Sequence, residues 1–243
     1  MAIRIGTAGN DNLVGTDLND FMYGGAGDDF FDGGAGSDKM SGDEGNDTFM
    51  GGAGADAMTG GSGIDTVDYS HSHDGVNVSL RNGTGSGGDA EGDTLGGIEN
   101  LIGSDNMRNT DRLTGDSANN ILDGRNGADV LAGNEGNDTL IGGAGYDTMT
   151  GGADADTFVF YTDRRGGPSS VHGDGRDVIT DFQVGVDVLE FTGNGVNSLD
   201  ELSFAKVGND TVISYGTWAD TITLVGVGLE ELKAHQAHDF LFV

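Results

Sequence analysis

The chain has 243 residues, of which 47 are glycine, one is proline and none is cysteine, and its formal net charge is −30. That charge argues against direct contact with nucleic acid or an anionic membrane surface, and without cysteine there are no disulfide staples. A hydrophobic content of 35% is low for a conventional core, and no apolar run approaches the roughly 18–20 residues of a membrane span.

From Gly6 the chain repeats in nines. The frame is Gly-Gly-x-Gly-x-Asp-x-U-x, where U is a large apolar residue, and its acids fall at Asp11, Asp20, Asp29, Asp38, Asp47, Asp56 and Asp65. The glycine-rich positions predict a turn, because glycine tolerates positive φ and close backbone approach. The cleanest turns are Gly-Ala-Gly at Gly25–Gly27, Gly34–Gly36 and Gly52–Gly54. The last three positions predict a short strand whose middle residue (Leu13, Met22, Phe31, Met40, Phe49, Met58, Val67) faces inward.

Two units make one coil, so Asp11, Asp29, Asp47 and Asp65 line one edge and Asp20, Asp38 and Asp56 the other, at the roughly 4.8 Å spacing of neighbouring strands. Carboxylates that close repel unless a proton or cation lies between them. Calcium, with its flexible shell of oxygen ligands, suits Asp carboxylates and turn carbonyls better than magnesium does.

Residues 69–102 interrupt the beat. Val76, Val78 and Leu80 alternate as in a strand, and Gly83–Gly92 reads as a loop. Gly88–Gly96 is a degraded repeat with Asp93 in the acid position, and Gly97–Ile102 is an inserted coil edge. His71 and His73, in His-Ser-His-Asp, fit a solvated loop better than a metal site. The beat resumes at Asp111, Asn120, Asp129, Asp138, Asp147 and Asp156, with inward Leu113, Leu122, Leu131, Leu140, Met149 and Phe158, and with Gly143–Gly145 as a clean turn. Asn106–Thr110 is a small insertion. Asn120 predicts a weak or absent ion site. Leu18, Ala118 and Asp154 replace the fourth-position glycine, which sets the Gly15–Tyr23 turn apart.

The two runs, Gly6–Asp68 and Gly103–Val159, resemble the RTX repeats of hemolysin-type calcium-binding proteins. The resemblance implies an all-β fold: a calcium-bound parallel β-roll in two stacked blocks with a spacer, plus a mainly β capping domain. It implies about eight or more calcium ions, bridged by Asp11–Asp29, Asp29–Asp47, Asp47–Asp65, Asp20–Asp38, Asp38–Asp56, Asp111–Asp129, Asp129–Asp147 and Asp138–Asp156. The expected division is a first block over 1–68, a spacer over 69–102, a second block over 103–159, and a cap with a secretion-signal region over 160–243.

Beyond Phe160 glycine thins and longer strands are predicted over Asp177–Phe182, Asp187–Phe191, Thr211–Tyr215 and Thr221–Val225, with helical spacing over Leu229–His238. A solenoid needs such a cap over its last apolar face. Asp156–Phe160 with Asp177–Phe191 resembles the C-terminal cap of serralysin-type proteases. Asp177, Asp181 and Asp187 are either a further calcium site or ordinary turn acids. Asp239-Phe-Leu-Phe-Val243 resembles the uncleaved signal of type I (ABC-transporter) export, an ordinary final strand being the alternative. The start, MAIRIGTAGND, shows no signal peptide.

These readings predict a secreted, extracellular protein, unfolded at low cytosolic calcium and folded outside. With neither HExxH nor GxSxG in the sequence, and the first repeat beginning at Gly6, no catalysis is expected, but rather a role in adhesion, matrix or host contact. One alternative is a polysaccharide-binding module resembling the R-modules of mannuronan epimerases, with Arg108, Arg112 and Arg125, or Arg164 and Arg165, as its basic clusters. Another is the tail of a secreted RTX protease or toxin, and a third is an unrecognised catalytic site in the cap. Phe21, Tyr23 and Phe30 are outward-facing candidates for a contact patch, and His235 and His238 lie one helical turn apart.

Overall fold

Each nine-residue unit bends through its glycines and ends in a short strand, and successive strands alternate between two facing sheets. A computed structural model describes residues 1–162, 175–193, 195–216 and 220–243. Among these residues one sheet has fourteen strands and the other ten, and a two-stranded ladder joins Asn126–Gly127 to Ala144–Gly145. Within the first block the register is strictly i to i+18. In the larger sheet Ile3, Phe21, Lys39 and Ala57 align. In the other, Leu13, Phe31, Phe49 and Val67 align. The inward side chains form two stacked columns, and Phe31 and Phe49 stack with ring centroids 4.7 Å apart.

The spacer does not break the roll. Asn100–Ile102 pairs in parallel with Thr66–Asp68 on one side and Ile121–Asp123 on the other, so a single rung joins the blocks in the ten-stranded sheet. In the larger sheet Thr94–Gly96 lies against Ala57–Thr59 and Asn77–Ser79 against Arg112–Thr114, and Thr84–Ser86 runs antiparallel between them. The expected loop over Gly83–Gly92 is thus partly structured, with that strand and a 3-10 turn at Gly88–Ala90. Its strand lacks large apolar residues, and Gly85 sits where a Cβ would come within 2.7 Å of the Ala90 carbonyl oxygen.

The cap extends both sheets. Thr157–Tyr161, Val188–Thr192 and Phe240–Phe242 continue the ten-stranded sheet. Arg176–Ile179 and Asp220–Leu224 continue the other, which Asp210–Tyr215 and Ser203–Val207 close in antiparallel fashion. Phe160, Phe191, Tyr215, Phe240 and Phe242 form the aromatic centre of this end. The helical segment expected over Leu229–His238 is two short helices, Leu229–Ala234 and Gln236–Asp239, broken where His235 leaves helical geometry at φ −117°. Among the described residues no helix is long and apolar enough to cross a membrane.

Candidate metal centre

The repeat acids are stapled to one another. The backbone N–H of Asp11 donates to Asp29 Oδ1, that of Asp29 to Asp47 Oδ1 and that of Asp47 to Asp65 Oδ1, each at 2.8 Å. The Asp65 N–H then donates to Glu99 Oε2, and beyond the spacer the edge runs Asn120, Asp138, Asp156, Asp187. The opposite edge runs Asp20, Asp38, Asp56, Asp93, and then Asp111, Asp129, Asp147, Asp177. Every pair that the resemblance joins across an ion is joined here by a staple. Glu99 was missed by sequence reasoning, although Glu99-Asn100-Leu101 repeats the acid-x-apolar ending of the frame.

The second carboxylate oxygen has no such partner. Among the described residues Oδ2 of Asp29, Asp38, Asp47, Asp56, Asp65, Asp129, Asp138, Asp147 and Asp156 is buried and unpaired. A buried ionised oxygen without a partner is costly, and the cost shows in the acidities. Burial foremost, opposed by the staples, pushes Asp129 up to about 8 and Asp56, Asp147 and Asp156 to about 7. Asp65, Asp93 and Asp138 rise to about 6 for the same first reason.

One torsion separates these turns from the rest. In all nine, the second residue of the turn has positive φ: Gly25, Gly34, Gly52, Gly61, Gly143 and Gly152, together with the non-glycines Asp43, Arg125 and Asn134 at 74°, 69° and 85°. Thr7, Thr16, Ser104 and Asp116 hold the same position without it. There the residue's own N–H folds back onto the acid: Thr7 onto Asp11 Oδ2 at 2.5 Å, Thr16 onto Asp20 Oδ2 at 2.7 Å, Ser104 onto Asp111 Oδ2 at 2.6 Å and Asp116 onto Asn120 Oδ1 at 2.8 Å. The three hydroxyls add a second bond. Asp11, Asp20 and Asp111 are therefore satisfied by their own turns, and so is Asn120, whose Nδ2 donates to the Glu99 carbonyl. The turn glycines singled out above (Gly25, Gly27, Gly34, Gly36, Gly52, Gly54, Gly143 and Gly145) all have positive φ.

The first glycine of most turns leaves a cradle. A Cβ on Gly33 would lie 2.5 Å from the Gly51 carbonyl oxygen and 2.6 Å from Asp38 Oδ2, and one on Gly133 would lie 2.6 Å from the Gly151 oxygen and 2.1 Å from Asp138 Oδ2. A carboxylate of one turn and a carbonyl of the next thus converge on a space that no side chain fills. Calcium bonds to oxygen at about 2.3–2.6 Å, so this all-oxygen donor set fits it. Among the described residues no three Asp, Glu or His side chains converge. An ion held here takes one or two carboxylates and completes its shell with carbonyls.

A second set of staples runs outside the first. The fifth-position side chain accepts the N–H of the fifth residue one coil on: Asn10 from Asp28, Asp28 from Asn46 and Asn46 from Ile64 on one edge, Asn19 from Ser37 and Ser37 from Ala55 on the other. The series ends in Ile64 and Ala55, with no repeat coil directly above, and the second block likewise ends Asn119, Asn137, Ala155.

The remaining candidates do not gather. Asp177 and Asp187 join opposite edges, and Asp181 accepts the N–H groups of Gly151 and Gly152. His71 and His73 are exposed. His235 Nδ1 meets the Glu231 carbonyl and His238 Nδ1 meets Asp239. Phe21 and Tyr23 align with Ile3 and Ile5 on one sheet, and Phe30 lies on the other. The Arg125 guanidinium lies 3.7 Å from Asp123 and 3.9 Å from Asp105. Arg164 and Arg165 fall outside the described residues.

The family model for the RTX calcium-binding nonapeptide repeat matches four times, over residues 5–40, 35–67, 108–140 and 132–160. No curated protein matches the chain. Among solved structures, the extracellular lipase LipA from Serratia marcescens aligns with 94% of this chain at 22% identity and a TM-score of 0.34, and the chain spans 38% of that protein's length. The glycine turns, stapled acids and inward columns of residues 5–67 and 108–160 are RTX calcium-binding nonapeptide repeats.

Proposed function

We propose that this chain is a calcium-folded roll that works outside the cell as a non-catalytic module in adhesion, matrix or host contact. The observation that carries the reading is the file of nine buried, unpartnered carboxylate oxygens, stacked coil upon coil along two edges. In the metal-free state these acids must either bind protons or repel, and a chain of net charge −30 has little else to hold it together. Binding energy is then folding energy. Extracellular calcium modules bind at roughly 10⁻⁴–10⁻³ M, so the roll would stay open and threadable in the cytosol, as type I export requires, and close outside. The test is far-ultraviolet circular dichroism of the chelated protein during a calcium titration, with magnesium as control. A cooperative gain of β signal in calcium alone is expected. A chain already folded in chelator, or equally responsive to magnesium, would sink the reading.

A further inference from the structure

One carboxylate outside the nonapeptide frame has the same two-oxygen signature as the nine repeat acids. Asp239 is fully buried. Its Oδ1 accepts the Gly185 N–H at 2.9 Å and lies 3.2 Å from His238 Nδ1, and its Oδ2 is buried without a partner. Phe240–Phe242 brings it there by pairing with Leu189–Phe191 as the last rung of the ten-stranded sheet. The facing loop, Asp181–Asp187, is shaped like a repeat turn. Gly185 has φ 80°, the Gln183 N–H caps Asp187 Oδ2 at 2.8 Å, and Asp187 Oδ1 takes the Asp156 N–H at 3.1 Å. The imidazole of His238 meets Oδ1, the oxygen that is already bonded, and is half exposed.

We propose that Asp239, with backbone carbonyls of the facing 181–187 loop completing the shell, holds a further calcium ion that ties the final strand to the roll. The identity of the ion rests on the calcium reading of the repeats, and the site itself rests on the geometry of Asp239. An isosteric substitution separates the possibilities by ion count. If no ion sits there, Asp239→Asn removes a buried, unpaired charge and leaves the number of bound ions unchanged. If an ion sits there, the same change removes its ligand.

The experiment is native mass spectrometry of the full calcium-saturated chain at about pH 8, paired with hydrogen exchange. Asp239→Asn is expected to hold one ion fewer than the wild type. Protection over 181–187 and 236–243 should fall at least about ten-fold, while the repeats keep theirs. An unchanged ion count, or unchanged protection at the C-terminus, overturns the proposal. If the repeats take up calcium normally, only this site falls. If neither protein takes up calcium, the reading of the repeats falls and this site with it. Should Asp239→Asn fail to fold, Asp239→Glu keeps the charge and must hold the wild-type count; a count lower by one in that variant overturns the proposal equally.

Discussion

At Thr7, Thr16 and Ser104 the second residue of the turn uses its N–H and hydroxyl to satisfy the acid that follows, whereas a left-handed residue there leaves the acid's outer oxygen bare. Part of this is legible in sequence, since a β-branched threonine strongly resists positive φ and glycine welcomes it. Part is not. Asp43 and Asp116 are the same residue in the same position, yet only Asp43 is left-handed, and Arg125 is left-handed with no local signal. The consequence is an asymmetry among acids that look equivalent in the repeat. Asp47→Asn should raise the calcium midpoint of folding at least about ten-fold and Asp11→Asn less than about two-fold, both read by titration of the β signal. Equal effects at the two positions would refute the sorting. The fifth-position asparagines carry no signal within a single repeat, and their role as N–H acceptors appears only once coils are stacked.

Among the elements, Asn100–Ile102 has the largest task for its size, because among the described residues it is the only rung joining the two blocks in the ten-stranded sheet. Leu101 is fully buried between Val67 and Leu122. Leu101→Ala should cost about 2–5 kcal/mol in calcium-loaded stability, measured by denaturant unfolding. A loss confined to a few tenths of a kcal/mol would mean that the blocks do not fold as one body. This rung was readable because Gly97–Ile102 keeps the ending of the frame. Thr84–Ser86 was not, since three small residues carry no period, and neither was Ser203–Val207, which is mostly exposed and shows no clean alternation.

For the molecule as a whole, protons and calcium compete for the same oxygens. Asp129 at about 8, and Asp56, Asp147 and Asp156 at about 7, all stand above the unfolded carboxylate value of 3.8. Between about pH 4 and pH 8 the metal-free roll therefore binds more protons than the unfolded chain, and its stability falls as pH rises through that window. Calcium needs the deprotonated form, so its affinity should fall as pH drops. Calcium-stripped protein should show more β signal at about pH 5 than at about pH 8, and the calcium midpoint should sit higher at about pH 5.5 than at about pH 8. A stripped chain that gains structure as pH rises would contradict the burial of these acids.

The two inward columns differ: Met22, Met40 and Met58 face Leu13, Phe31, Phe49 and Val67. Inside a block each column, each staple and each fifth-position bond recurs at a spacing of eighteen residues. Duplicating or deleting eighteen residues inside a block would leave every side chain above its own kind. A change of nine would exchange the columns and set methionine over phenylalanine. The length of such a protein can therefore drift in quanta of eighteen, so that a gene can lengthen or shorten the rod, and alter how many ions it holds, without redesigning a single contact.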